Sequence, residues 1–325
     1  MTHAIVLDEP GDPDVLQWRP IDDPVAGEGE LVVRHTAIGL NFIDTYFRTG
    51  LYKSPTGYPL IVGSEAAGVV EEVGPGVEGF SVGDRIAYGF ALGSYTERRS
   101  LAASAALKIP DGVDDRTAAA MMLKGMTARY LLCETHKVTP ETTLLFHAAA
   151  GGVGSIAGQW AKAIGATTIG TVGSAEKAEI ARANGYTHVI NYNEEDFVAR
   201  VKEITGGKGC DVVYDSVGKD TYPGSLQCLR PLGLYALFGQ SSGVVRDFSL
   251  ADLAKYGSLF ATRPGLGTYV ATRERLEANA ADLFEMVRSG KVKIPVERTF
   301  ALKDAAEAHR ALEGRRTTGS TVLIP

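Results

Sequence analysis

The chain has 325 residues, of which 45% are hydrophobic and 22% charged, with 33 Lys and Arg against 39 Asp and Glu. That length exceeds one ordinary core and predicts two domains, while the net charge of −6 argues against a broad surface for nucleic acid or anionic membrane. Cys133, Cys210 and Cys228 are scattered and odd in number, which argues against a disulfide framework or a structural zinc site and suggests small buried hydrophobes in a reducing compartment.

Near the start, Asp8 and Pro10 leave no secretory apolar core, and no apolar run reaches membrane-spanning length, so a cytosolic protein is expected. From Ala4 to about Leu107 the text is short β-like runs between Gly and Pro. Residues 31–38 and 67–73 read as strands, the second ended by Gly74-Pro75-Gly76. Gly83-Asp84-Arg85 turns into another at Ile86-Ala87-Tyr88. This half is expected to be a mostly β domain. Helical text covers 115–122, and a second helical stretch covers 127–134. Beyond Leu144 strands and helices alternate, which implies βαβ units around a parallel sheet. The strands expected are 143–147, 167–172, 187–190, 211–215, 233–238 and 258–262. Asn193-Glu194-Glu195-Asp196 predicts a helix start with acids in its first turn, followed by an inner face of Phe197, Val201 and Ile204. After Arg263-Pro264 come an amphipathic helix carrying Leu276, Ala280, Leu283, Phe284 and Val287, then a strand, a helix over 302–312 and a closing strand over 320–324.

The stretch Ala148-Ala149-Ala150-Gly151-Gly152-Val153-Gly154 lies between the strand 143–147 and a helical run of Val153, Ile156, Ala157, Trp160, Ala161 and Ile164. Strand, Gly-rich turn and helix is the context of dinucleotide binding. Gly151 lets backbone lie close to a pyrophosphate, with Gly152 and Val153 beside it, and Gly154 lets the helix pack on the strand. The helix start turns free N–H groups and partial positive charge toward phosphates. The usual first glycine is Ala149 here. At the end of 168–172, where NAD-selective folds place an acid against the ribose, the chain has Gly173-Ser174, with Lys177 one turn on. A 2′-phosphate suits that site better than a hydroxyl, so NADPH is the expected cofactor; Ser174 acting only as a helix cap is the alternative.

With these pieces placed, the chain resembles the medium-chain dehydrogenase/reductase superfamily, and within it the zinc-free, zeta-crystallin-like quinone oxidoreductases. The resemblance rests on Gly39-Leu40-Asn41-Phe42-Ile43-Asp44-Thr45-Tyr46, Gly63-Ser64-Glu65-Ala66-Ala67-Gly68, Leu123-Lys124-Gly125-Met126-Thr127 and the stretch 146–154. Val213-Tyr214-Asp215-Ser216-Val217-Gly218 and Thr262-Arg263-Pro264 extend it. It implies an α/β protein with a GroES-like, mostly β catalytic domain (1–125), a doubly wound Rossmann domain (126–262) and a return to the catalytic domain (263–325). It also implies a homodimer joined edge to edge through the Rossmann sheets. Zinc-dependent relatives carry metal ligands where this chain has Asn41, Ser64 and Leu123-Lys124-Gly125. The six histidines lack ligand-like spacing, so no metal is expected.

The resemblance implies that Asn41 and Tyr46 hydrogen-bond the acceptor's oxygen, with Tyr46 or solvent as proton source and Tyr52 a weaker candidate. Phe42, Asp44 and Thr45 match the loop over the nicotinamide, and Lys124 and Thr127 are expected on the nicotinamide side. Tyr130, Tyr192, Ser216, Phe238, Gly239, Ser241, Ser242, Thr262, Arg263, Pro264 and Arg315 match further cofactor contacts, Arg316 competing with Arg315 for its role. The activity implied is NADPH-dependent reduction of a small-molecule quinone, by hydride or by successive single electrons. The alternatives are a reductase of α,β-unsaturated carbonyls on the same scaffold and a non-enzymatic protein that binds NADPH and RNA.

Overall fold

The computed structural model describes every residue except 315 and 316, so the contact expected of Arg315 lies outside the described residues. The chain divides into two units. The first holds Met1–Met126, Val270–Arg288 and Ile294–Pro325. The second holds Thr127–Tyr269 and Ser289–Lys293.

The first unit begins with β1 (Thr2–Leu7), which pairs antiparallel with β2 (Gln17–Ile21). β3 (Glu30–Gly39) follows and leads into helix α1 (Phe42–Arg48). Next come β4 (Leu60–Ile61), which pairs with β1, then β5 (Glu65–Val73), β6 (Arg85–Gly89), β7 (Arg98–Ala102) and β8 (Leu107–Lys108). β3 is the hub: it pairs with β5 along one edge and with β7 on the other, and β6 and β8 extend the sheet beyond β5. Alternating residues point Leu31 and Val33 of β3 into a core with Ile38, Leu60, Val62, Ile86, Tyr88 and Tyr95. This is the mostly β domain expected.

Helix α2 (Asp115–Tyr130) is one element where the sequence suggested two. Gly125 lies between the two stretches, and a Cβ there would lie 2.5 Å from Leu283 Cδ1. The missing side chain serves helix packing rather than helix termination. A π-helical turn, Leu131–Thr135, follows.

The second unit alternates as expected. Its elements are β9 (Thr143–His147), α3 (Gly152–Ile164), β10 (Thr167–Val172), α4 (Ala175–Ala183), β11 (His188–Asn191) and α5 (Phe197–Ile204). They continue with β12 (Cys210–Asp215), α6 (Tyr222–Gln227), β13 (Leu229–Leu237), α7 (Leu250–Lys255), β14 (Phe260–Thr262) and α8 (Leu266–Tyr269). All six strands are parallel in the order β11-β10-β9-β12-β13-β14. The order reverses at β9, so the topological switch point lies between β9 and β12.

β13 starts earlier than expected. Pro231 and Gly233 have turn chemistry, but Leu229 pairs with Cys210 before a register shift restores pairing at Leu234. α5 also differs: Asp196 is its N-cap, accepting from Val198 and Ala199 N–H, and no acid lies in the first turn.

The tail returns to the first unit with α9 (Arg273–Arg288), β15 (Val296–Ala301), α10 (Ala305–Glu313) and β16 (Ser320–Ile324). β16 pairs parallel with β15 and antiparallel with β3, through Val322 with Gly39 and Leu323 with Ile38.

Candidate active site

In the second unit, β9 ends at His147 and the chain enters the Gly-rich turn through Ala148, whose φ of 57° is left-handed. Such backbone in a non-glycine residue concentrates where structure is held for function. Gly151 caps α3 in an extended conformation without any side-chain hydrogen bond, which leaves the first N–H groups of α3 available. Gly154 is required by sterics, since a Cβ on it would sit 2.4 Å from the Ala148 carbonyl oxygen.

Beyond β10, Ser174 is the N-cap of α4, its Oγ accepting from Lys177 N–H at 3.2 Å. Tyr192 N–H donates to the Val172 carbonyl, and Asn193 Nδ2 donates to the Gly173 carbonyl at 2.7 Å. Gly173, Ser174, Lys177 and Tyr192 are thus gathered at the C-terminal ends of β10 and β11.

A second group forms beyond β12 and β13 around Asp215, which is fully buried. One carboxylate oxygen accepts from Val217 and Gly218 N–H at 2.8 and 3.0 Å. The other accepts from Thr221, Ser225 and Tyr235 hydroxyls. Asp215 thereby shapes the loop that begins at Ser216. Its backbone carbonyl takes Phe238 and Gly239 N–H, while Ser241 and Ser242 N–H reach the Ser216 and Val217 carbonyls. Thr262 pairs with Ala236, and Arg263 Nη1 donates to the Leu237 carbonyl at 2.8 Å. Ser216, Phe238, Gly239, Ser241, Ser242, Thr262 and Arg263 share this edge, and Pro264 follows directly. Tyr130 instead stacks on Tyr269 with ring centroids 4.2 Å apart, and burial pushes its phenol pKa up.

His147 contacts Thr171 Oγ1 at 2.8 Å and Ser225 Oγ at 3.0 Å, and Ser225 donates to Asp215. The trio has the composition of a hydrolase triad but is buried throughout, and burial pushes His147 down. With Thr171 it ties β9, β10, β12 and α6 together.

In the first unit, α1 carries Asn41, Phe42, Asp44, Thr45 and Tyr46 at or just after its N-cap. Tyr46 and Tyr52 meet edge to face at 5.2 Å. Thr45 Oγ1 donates back to the Phe42 carbonyl. Asp44, expected beside the nicotinamide, has no exposed surface. Its carboxyl accepts from Asn41 N–H at 2.9 Å, Ser64 Oγ at 2.9 Å and Tyr95 Oη at 3.1 Å. Burial still pushes its pKa up to about 7. Asp44 anchors the start of α1 rather than facing outward.

From Asp44 a buried chain runs to the surface. Tyr95 Oη also lies 3.1 Å from His309 Nε2, and Arg48 Nη1 lies 3.1 Å from His309 Nδ1. Arg48 closes the chain by bidentate bonds to Glu313 at 2.7 and 2.8 Å. Burial and the Arg48 charge push His309 down to about 3, so the ring is neutral. Arginine can only donate, so Nδ1 accepts, Nε2 carries the proton toward Tyr95, and Tyr95 donates to Asp44.

Glu65 is likewise fully buried. Its Oε1 accepts from Asn41 Nδ2 at 2.8 Å and Lys124 Nζ at 2.5 Å, and its Oε2 from Leu123 N–H at 2.6 Å. Gly39 is what admits it, since a Cβ there would stand 2.2 Å from Glu65 Oε1. Glu65 was visible in the sequence only as part of a motif lacking a metal ligand. Tyr95, Arg48, His309 and Glu313 gave no signal, because their partners come from distant segments. Among the described residues no group of three or more His, Cys, Asp or Glu could hold a metal ion.

Residues 27–143 match the alcohol dehydrogenase GroES-like domain, and residues 152–285 match the family described as zinc-binding dehydrogenase. A quinone oxidoreductase of Pseudomonas aeruginosa is 52% identical over 97% of both chains. A 2-haloacrylate reductase of Burkholderia is 48% identical, covering 100% of this chain and 99% of its own. The crystal structure of Escherichia coli quinone oxidoreductase complexed with NADPH superposes with a TM-score of 0.98, at 48% identity over 100% of both chains. Two domain families matched in succession, and relatives near half identity along the full length, lead to one conclusion: this chain belongs to the quinone oxidoreductase family of the medium-chain dehydrogenase/reductase superfamily.

Proposed function

We propose that this protein is a cytosolic, homodimeric, zinc-independent reductase that passes electrons from NADPH to quinones. The observation that carries the cofactor is the second unit's cradle: an uncapped α3 N-terminus at a switch point, and Gly173-Ser174 with Lys177 where an acid would repel a 2′-phosphate. The names of the relatives support the acceptor class. When bound, the reduced nicotinamide supplies the two electrons and one hydrogen.

The chain's own residues bind and orient. Gly151, whose own N–H is spent on the Ala148 carbonyl, lets the backbone come close to the pyrophosphate, Gly152 and Val153 face it with backbone N–H groups, and Lys177 and Ser174 meet the 2′-phosphate with Tyr192 alongside. Ser216, Phe238, Gly239, Ser241, Ser242, Thr262, Arg263 and Pro264 form the rest of the bed, with Thr127 and Tyr130 at the entry to the second unit. Asn41, Tyr46 and Tyr52 hold the acceptor and keep water away. Asn41, Ser64 and Lys124 offer neither thiolate nor imidazole, so activation by zinc has no donor set there.

The test is NADPH oxidation by chelator-treated protein with an ortho-quinone, run beside NADH and beside an α,β-unsaturated carbonyl at matched concentration. Activity should survive chelation and favour NADPH and the quinone. Loss with the metal overturns zinc independence. Preference for the unsaturated carbonyl installs the second reading, which the 2-haloacrylate reductase relative favours.

A further inference from the structure

Glu65 and Lys124 form a buried ion pair that the binding roles above leave unused. Withdrawing two charges from water is costly, and apolar side chains of similar volume would serve packing alone as well or better. The pair is also unevenly satisfied. Glu65 accepts from Asn41 Nδ2, Lys124 Nζ and Leu123 N–H, and Gly39 leaves it no slack. Lys124 Nζ carries three N–H bonds but meets one acceptor among the described residues. Glu65 has no exposed surface whereas Lys124 retains 7%, so what access the pair has is through Lys124. Asn41, the residue expected at the acceptor's oxygen, is tied to the same carboxylate atom as Lys124.

We propose that Lys124 is a catalytic acid, donating its proton to the acceptor's oxygen, and that Glu65 is the positioning residue that holds Lys124 and Asn41 together. This rests on the reductase reading above. Two electrons and one hydrogen reach the acceptor from the reduced nicotinamide, and negative charge develops on its oxygen. One N–H bond of Lys124 breaks as an O–H bond forms, which leaves a neutral amine beside the Glu65 carboxylate. Solvent returns the proton, and the carboxylate stabilises the ammonium as it re-forms.

The test compares the protein with Lys124→Met, which keeps the stem and removes the charge. Turnover of an ortho-quinone should fall about 100-fold or more, the range for a general acid, while NADPH affinity changes by less than about threefold. Binding of p-nitrophenolate to the NADP+-loaded protein, followed by its absorbance, should weaken about tenfold, because an oxyanion loses a charged donor. Added ethylamine should restore part of the turnover of Lys124→Ala. If Lys124→Met misfolds with Glu65 left unpaired, Lys124→Met combined with Glu65→Gln removes both charges and takes the same measurements.

Full quinone turnover with unchanged phenolate binding overturns the proposal. A loss of turnover matched by an equal loss of NADPH affinity also overturns it, since Lys124 is then a cofactor contact. Wild-type protein that reduces only the unsaturated carbonyl refutes the quinone reading, and the variant-to-wild-type ratio on that acceptor decides the role of Lys124. Wild-type protein inert to both refutes the reductase reading, and phenolate binding alone decides whether Lys124 serves an oxyanion.

Discussion

Asp44 and His309 are joined through Tyr95 in one hydrogen-bonded chain and are shifted in opposite directions by the same cause. Burial disfavours the charged form of each, so the carboxyl goes up to about 7 and the imidazole down to about 3. The consequences for stability have opposite signs. As pH rises past 3.8 the unfolded Asp44 ionises first, while the native one keeps its proton until about 7, so its contribution falls through that window. As pH drops below 6.5 the unfolded His309 takes up a proton that the native ring refuses until about 3, so its contribution falls toward acid. Comparing wild type with Asp44→Asn isolates the first slope. In urea unfolding, the stability of wild type relative to the variant should decline by on the order of 4 kcal/mol between about pH 4 and pH 7. A difference that does not move with pH would show that Asp44 ionises as easily in the fold as outside it.

Helix starts carry the proposed cofactor chemistry, and they can be tested as elements. Lys177 lies in the first turn of α4, where its backbone N–H is spent on Ser174. If a 2′-phosphate docks there, Lys177→Ala should weaken NADPH by about 1.5–3 kcal/mol, the worth of a charged hydrogen bond, and leave NADH unchanged in calorimetric titration. Equal weakening of both would return Ser174 to a plain cap. The same elements explain what could be read in advance. β9 and β10 match their expected limits because each is an apolar run fenced by turn residues. β13 does not, because Arg230-Pro231-Leu232-Gly233 has turn chemistry and becomes strand only by pairing through a register shift. α2 runs as one helix through Gly125, which looks the same in sequence whether it ends a helix or admits Leu283. The Gly-rich turn between β9 and α3 and the Ser174 cap of α4 are local motifs and were legible. The pairing of Glu65 with Lys124 across 59 positions, and of Arg48 with His309 across 261, is set by tertiary packing and was not. Nor could Asp44 be told from an outward-facing loop acid, since burial is not written in its neighbours.

At the scale of the whole molecule, the six-stranded sheet ends on β14, a three-residue edge strand with Phe260 exposed. An open edge of this kind invites pairing with another strand, and it is the edge at which we propose that the homodimer joins. Sedimentation should give twice the chain mass, and Phe260→Asp should move the population toward monomer. A wild type that stays monomeric at every concentration would refute the dimer.

The first unit is assembled from three separated stretches of chain, and β16, the last of its strands in chain order, pairs with β3. On the ribosome this order has a cost. β3 and β5 emerge early, the long contiguous part of the second unit follows, and β16 arrives only afterwards. At about 5–20 residues per second that interval is tens of seconds, long enough for the second unit to finish while one end of β3 still shows bare backbone donors and acceptors. The nascent chain is therefore most exposed to misassociation through a strand near its beginning, for a reason that lies near its end.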